Sequence, residues 1–422
     1  MSNEISIFIL FIFCGQLHLS EENLYRLGSK THYNLSVEID KHDKFMPILF
    51  GDNFLPSDKF LHMYGNFRHG TRYPGKKDVE NGLSIMGKLK NLNFSADKYQ
   101  EMNDVIQDMK NKPEYSLLSP SGKQEHRDIG RKYGGIFKEL NFGKIDPSNT
   151  VFGHTFKSRA MESMEGFIET FLPVVDPNSK NDAYKRVNRD DMLRFFDLCT
   201  EYINTVKNNK TMGEEKNTFM NNNRDKLLSY IKEKVGLPGL DLTNGEISAW
   251  VTIAGFELAI NRTNNWLKYL DDRILEIVEY ASDLSTYYEK GPGVKINYAM
   301  SCGVIKEIFG IYDEILAKKS KEIARFYFSH AETLIPLLNI IGLFRGDPPL
   351  KHNTFEANKN REFKTTRVAP FATNFVFVLM ERGKIAFIRL YFKGEPYQFS
   401  FCKSSICEYS KVLNGFVDKH LD

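Results

Sequence analysis

The stretch Arg68-His69-Gly70-Thr71-Arg72-Tyr73-Pro74 decides how this chain is read. It follows Phe60-Leu61-His62-Met63-Tyr64-Gly65-Asn66-Phe67, an apolar run that reads as a buried strand ending where the charges begin. Two arginines flank one histidine, and the glycine between them lets the backbone turn. Arginine presents a planar fork of donors that matches phosphate oxygens in pairs and keeps its charge. A neutral imidazole is a competent nucleophile near neutral pH. Together these residue types suit one task, holding a phosphoryl group against an imidazole nitrogen. A basic turn facing water would account for an isolated Arg-His pair.

Outward from this stretch, further segments read as strands buried on both faces: Thr150 to Phe156, Arg325 to Ser329 and Asn374 to Met380. Runs such as Phe375-Val376-Phe377-Val378-Leu379 lack polar alternation, which favours the middle of an α/β sheet. Ile385 to Phe392 reads as an antiparallel partner joined through Arg382-Gly383-Lys384. Helices are expected over Asp78 to Leu92 and Gly122 to Leu140. From 176 to 291 lysine, asparagine and glutamate dominate and apolar residues recur at helical spacing, which reads as a helical lobe inserted into the α/β domain. Its Lys207 to Asn223 portion is polar enough to be a flexible loop. The expected fold is α/β, a mostly parallel central sheet flanked by helices with an inserted helical cap lobe. Residues 21–175 and 292–422 would form the two parts of the catalytic domain.

A histidine nucleophile needs charge clamps on the phosphoryl oxygens, an in-line geometry and a proton for the departing alkoxide. Candidates for each stand at strand ends, where ligands gather in α/β sheets. Thr155-Phe156-Lys157-Ser158-Arg159 ends the second strand, and Phe328-Ser329-His330-Ala331-Glu332-Thr333 ends the third. A solvated basic turn and an ordinary helix cap are the structural alternatives for these two stretches.

The stretch at 68–74 resembles the signature of the histidine phosphatases, in the branch with acid phosphatases and phytases. Its Thr-Arg-Tyr-Pro ending, and His330-Ala331-Glu332, are similar to the multiple inositol polyphosphate phosphatases. Weaker matches are Leu27 to Tyr33, Leu118 to Gln124 (with its glutamine displaced by one) and Arg194 to Cys199, the last two read as structural. The resemblance implies that His69 attacks phosphorus and that Arg68, Arg72, Arg159 and His330 stabilise the transferring group. It further implies that Glu332 protonates the leaving oxygen. Opposing influences act on that carboxyl, since arginines favour its charged form and a bound polyphosphate its neutral form. A partly protonated Glu332 and an acidic-to-neutral optimum are expected. Lys76 and Lys77 are candidates for outlying phosphates of a multiply phosphorylated ring.

The chain has 422 residues, 41% of them hydrophobic and 26% charged, as in an ordinary globular protein. A net charge of +3 is too small for an electrostatic argument about nucleic acid or membrane surfaces. Ile5 to Phe13 has the size of a signal-peptide hydrophobic region, so residues 1–20 are expected to be a cleaved leader. Asn34, Asn93, Asn209 and Asn261 open glycosylation sequons. Removing the leader removes Cys14 and leaves Cys199, Cys302, Cys402 and Cys407, an even number. Cys402 and Cys407 are spaced for a local bridge, with Cys199 and Cys302 left to pair. No further hydrophobic span follows, so the ER lumen or the cell exterior is the expected location.

The expected function is a phosphomonoester hydrolase working through a phosphohistidine, with no metal or other cofactor. The resemblance implies inositol polyphosphates, including the hexakisphosphate, as small-molecule substrates, with 2,3-bisphosphoglycerate a second one. A broad-specificity acid phosphatase and a non-catalytic extracellular phosphate-binding protein are the rival readings.

Overall fold

The structure, a computed structural model, describes residues 26–420 apart from 44, 46–53, 113, 400 and 403, and side chains only as far as 415. The expected leader and Cys14 lie outside the described residues.

The centre of the molecule is β1 (Lys59–Arg68). Met63 and Phe67 join the apolar core on one side of the sheet and Tyr64 the core on the other, which is why the run shows no polar alternation. β1 pairs in parallel with β4 (Ala324–Ser329) and antiparallel with β5 (Asn374–Arg382). β2 (Thr150–His154) lies parallel to both β4 and β3 (Arg186–Asn188). β6 (Ile385–Phe392) runs antiparallel to β5, and β7 (Glu395–Tyr397) and β8 (Ile406–Glu408) both pair antiparallel with β6. The order is β3-β2-β4-β1-β5-β6-β7, with β8 also on β6.

The sheet is therefore mixed, not mostly parallel. Its second half reverses direction at tight turns: Arg382 pairs with Ile385 across Gly383, and Phe392 with Glu395 across Gly394, both glycines having positive φ. Two-residue connections can join only antiparallel neighbours. The unbroken apolar run of β5 reports cover on both faces and says nothing about strand direction.

One face is covered by α4 (Pro120–Glu139) and α5 (Ser158–Val175), whose Tyr133, Phe137, Phe167 and Phe171 pack with Phe67, Phe152 and Phe326. The other face meets α10 (Ala331–Ile340) and an extensive helical core. That core joins α2 (Lys76–Asn91) and α3 (Ala96–Lys110) to α6 (Glu214–Val235), α7 (Asn244–Asn261), α8 (Asp272–Glu289) and α9 (Cys302–Leu316). Helices on both sides of β2 in sequence thus build it, and β3 inside the 176–291 span belongs to the sheet. The expected loop at Lys207 to Asn223 is instead a short helical turn, Lys210–Gly213, followed by α6. Phe219 and Met220 are buried there, with the Phe219 ring 4.9 Å from that of Tyr280, so a narrow apolar stripe anchors a polar helix.

Cys402 and Cys407 are bridged as expected. Cys199 and Cys302 are free, half-buried thiols, so the second expected pair is not formed. An even count constrains nothing where the fold holds two thiols apart on separate elements, here the turn after Leu198 and the start of α9. Asn34, Asn93 and Asn261 are exposed, whereas Asn209 is half-buried. Among the described residues no helix is long and apolar enough to cross a membrane.

Candidate active site

Parallel pairing brings the C-terminal ends of β1, β4 and β2 side by side: Arg68 is opposite Ser329, and His154 opposite Phe328. The residues just beyond these ends converge. His69 N donates to Ser329 O at 2.9 Å, and its ring centroid lies 5.6 Å from that of His330. Arg159, in the first turn of α5, places NH2 3.5 Å from His330 Nδ1. The three stretches picked from the sequence therefore meet in one place.

His69 is buried, and its Nδ1 lies 2.8 Å from Gly70 O. A carbonyl only accepts, so Nδ1 carries the proton and Nε2 keeps a lone pair. Burial, then Arg68 and Arg159, hold the imidazole well below its ordinary pKa, so it is neutral. His330 is brought down to about 3, by burial first and then Arg159.

Arg68 is fixed from three sides. It donates to Ser29 O at 2.9 Å and to Ala369 O, and its guanidinium stacks 4.8 Å from the centroid of Phe371. Burial and then Arg72 bring its pKa down to about 9, and those of Arg159 to about 10. Like charges crowded in a buried place are costly, and the Nε groups of Arg68 and Arg159 have no hydrogen-bond partner among the described residues. Both facts favour an anion there, and the first turns of α5 and α10 add their dipoles. Arg72 donates to Tyr73 O at 2.7 Å and lies over Phe256.

Gly70 is required for a different reason from the expected turn. A Cβ there would sit 2.2 Å from Gly122 O, and one on Gly122 only 2.0 Å from Thr71 O. The loop after β1 lies directly on the start of α4, which Ser119 caps by accepting from Gly122 N. Ser119 also donates to Thr71 O, and Glu125 accepts from Thr71 N at 2.6 Å and from Tyr33 N at 2.9 Å. Glu125 occupies the place where the resembled pattern has glutamine, while Gln124 faces outward to Asp128. Burial raises the Glu125 carboxyl to about 7.

A cavity of about 550 Å³ opens over His330, Glu332 and Arg159, with Lys157, Arg194, Lys207, Lys210 and Lys290 on its walls. Lys76 and Lys77 are exposed at the start of α2 and do not line it; Lys76 faces Glu80. The sequence reading missed the actual wall. Arg194 belongs to a stretch read as structural, and Lys207 and Lys210 to one read as a loop. Thr155 was passed over as well: its Oγ1 is 2.8 Å from His330 Nε2. Lys30, within the weakly matching opening segment, is brought to about 7 by burial and then by Arg72 and Arg68.

Glu332 departs from expectation. Lys290 Nζ donates to its Oε1 at 2.9 Å. Burial pushes the carboxyl up, but the Lys290 charge and hydrogen bond outweigh it and hold it well below the usual carboxylate range. The carboxyl is thus ionised rather than partly protonated.

With this geometry goes a family match. Residues 66–393 match the histidine phosphatase superfamily (branch 2), and the chain belongs to that family. More particularly, it is similar to the multiple inositol polyphosphate phosphatase 1 of Gallus gallus, 25% identical over 93% of this chain and 89% of that one. The Homo sapiens protein of the same name is 26% identical over 74% of this chain and 68% of its own. Among solved structures, the multiple inositol polyphosphate phosphatase of Bifidobacterium longum in complex with inositol hexasulfate shares the fold. Its TM-score is 0.75 at 16% identity, over 94% of this chain and 98% of that one. The phytase from D. castellii has a TM-score of 0.72 at 17% identity, over 94% and 86% of the two chains.

Proposed function

We propose that this chain hydrolyses phosphomonoesters of polyphosphorylated inositols, the hexakisphosphate included, through a phosphohistidine at His69. The observation that carries the reading is the neutral His69 ring, its Nδ1 proton tied to Gly70 O, set between Arg68 and the Arg159–His330 pair. Nε2 attacks phosphorus as the ester P–O bond breaks. Arg68, Arg72 and Arg159 neutralise the equatorial oxygens, which is where this chemistry needs charge. Glu332, which the Lys290 ion pair keeps ionised, must first take up a proton and then gives it to the departing alkoxide. The same carboxylate then takes a proton from the water that attacks phosphorus, and the P–N bond breaks, releasing phosphate and restoring His69.

Several cations line the cavity beyond those that one phosphoryl group can occupy, which favours a polyphosphorylated substrate over a simple aryl phosphate. Relatives named as inositol polyphosphate phosphatases support the same choice. Passage through the secretory pathway is part of the proposal, supported by the exposed sequons and the Cys402–Cys407 bridge.

Replacing the nucleophile tests the chemistry. His69→Ala is expected to lose more than about 1,000-fold in phosphate release, and an acid-labile, base-stable radiolabelled phosphate should be trapped on the unmodified chain alone. Equal turnover by the two proteins would end the reading.

A further inference from the structure

The Lys290–Glu332 ion pair is the contact that conflicts with an acid role for Glu332. We propose that Lys290 is a substrate-responsive positioning residue, which holds Glu332 ionised until a non-reacting phosphate of a polyphosphorylated substrate takes over its ammonium group. The proposal rests on the phosphohistidine reading above.

Three observations carry it. First, the backbone that carries Lys290 is fixed, so a change of partner falls to its side chain. Its backbone ends α8 with Lys290 N and Gly291 N both donating to Thr286 O, and Asn297 donates to Gly291 O at 2.9 Å. A Cβ on Gly291 would lie 2.6 Å from the Phe363 ring, so the strand of chain after Lys290 is packed tight. Second, Lys290 stands on the boundary of two cavities, the one of about 550 Å³ over Glu332 and one of about 200 Å³ lined also by Lys30 and Lys216. An anion reaching either can compete for it.

Third, the charges around Glu332 divide into two sets. Arg68 faces it from the end of β1, Arg72 from the loop that follows, Arg159 from α5 and His330 from the start of α10. Lys290 faces it from the end of α8, beside Glu289 and the Tyr202 hydroxyl. The arginines are neutralised by whichever phosphoryl group reacts. Lys290 is not. A phosphate monoester carries about −1.5 to −2 charges at neutral pH, so it outbids a single carboxylate for the ammonium group. Once Lys290 turns to it, Glu332 loses its partner and gains a nearby anion, and both changes favour protonation from solvent. The proton then passes to the ester oxygen as the P–O bond breaks and the bond to His69 Nε2 forms. A singly phosphorylated substrate leaves the pair intact.

The test compares kcat–pH profiles of the full chain on inositol hexakisphosphate and on a singly phosphorylated inositol, which share the same kind of alkoxide leaving group. The unmodified protein should show its alkaline limb about one to three pH units higher on the hexakisphosphate. Lys290→Met should raise the limb for the monophosphate to meet it and raise KM for the hexakisphosphate about tenfold, and Lys290→Arg should restore the gap. Coincident limbs in the unmodified protein, or a gap that Lys290→Met leaves unchanged, would overturn the proposal. Lys290→Gln provides a second neutral variant should the methionine fail to fold. An unmodified protein inert towards both substrates would instead remove the phosphohistidine reading, and this inference with it.

Discussion

Thr155 keeps His330 Nε2 paired in either tautomer. A neutral ring has one proton, and Arg159 can only donate, so its approach to Nδ1 leaves the proton on Nε2, facing the Thr155 hydroxyl. The hydroxyl both accepts and donates. When a phosphoryl oxygen takes the guanidinium, the ring can carry its proton on Nδ1 while Thr155 donates to Nε2. Thr155→Val should therefore cut kcat/KM about tenfold or more by leaving a buried ring nitrogen unpaired, with Thr155→Ser restoring most of it. An unchanged kcat/KM in the valine variant would refute this role. Such a partner is invisible in the sequence, because a threonine at a strand end is usually only a β-former. His69, Arg159 and His330 were legible because charged residues stand abruptly after apolar runs. The ionisation of Glu332 was not, since its partner lies 42 positions earlier, at the end of a helix that no motif marks.

At the level of elements, the loop that carries His69 and the start of α4 form one unit through the Gly70–Gly122 approach and the Ser119 and Glu125 hydrogen bonds. Gly70→Ala should destabilise the fold by about 1–3 kcal/mol as backbone shifts to admit the methyl group. It should lower kcat far more than that loss of stability explains, because a displacement of about 1 Å at the nucleophile costs on the order of 100-fold. Thermal melts together with kcat measured well below the transition check this; full activity in a destabilised protein would show that the loop tolerates displacement. Both strand–helix units carrying the site were readable from periodicity. α6 was not, because its few buried residues are diluted by asparagine and lysine, and sequence polarity alone cannot distinguish a loop from a helix with a thin apolar stripe.

For the whole molecule, the sheet's two buried faces were evident from unbroken apolar runs and the antiparallel β6 from the Arg382-Gly383-Lys384 turn, but those runs do not reveal that β5 lies antiparallel to β1. The helical core was similarly underestimated, since α2 and α3 reach it from before β2. Cysteine parity misled for the same reason: pairing is a property of positions in space. Intact-mass measurement of protein made through the secretory pathway should show two alkylatable thiols, at Cys199 and Cys302, on the denatured unreduced chain. The same sample should lose mass on removal of N-linked sugars. Zero thiols would restore the second bridge, and a mass unaffected by deglycosylation would count against the proposed route.

β1, which presents the proposed nucleophile, pairs Met63 with Ala324 on one side and Val378 on the other. Neither neighbour has emerged when β1 leaves the ribosome. A chain interrupted before Asn374 therefore carries every catalytic side chain named above and still lacks one border of the strand that aims His69. The sheet around β1 closes only with the last fraction of translation, and until then an apolar ribbon stays exposed to aggregation.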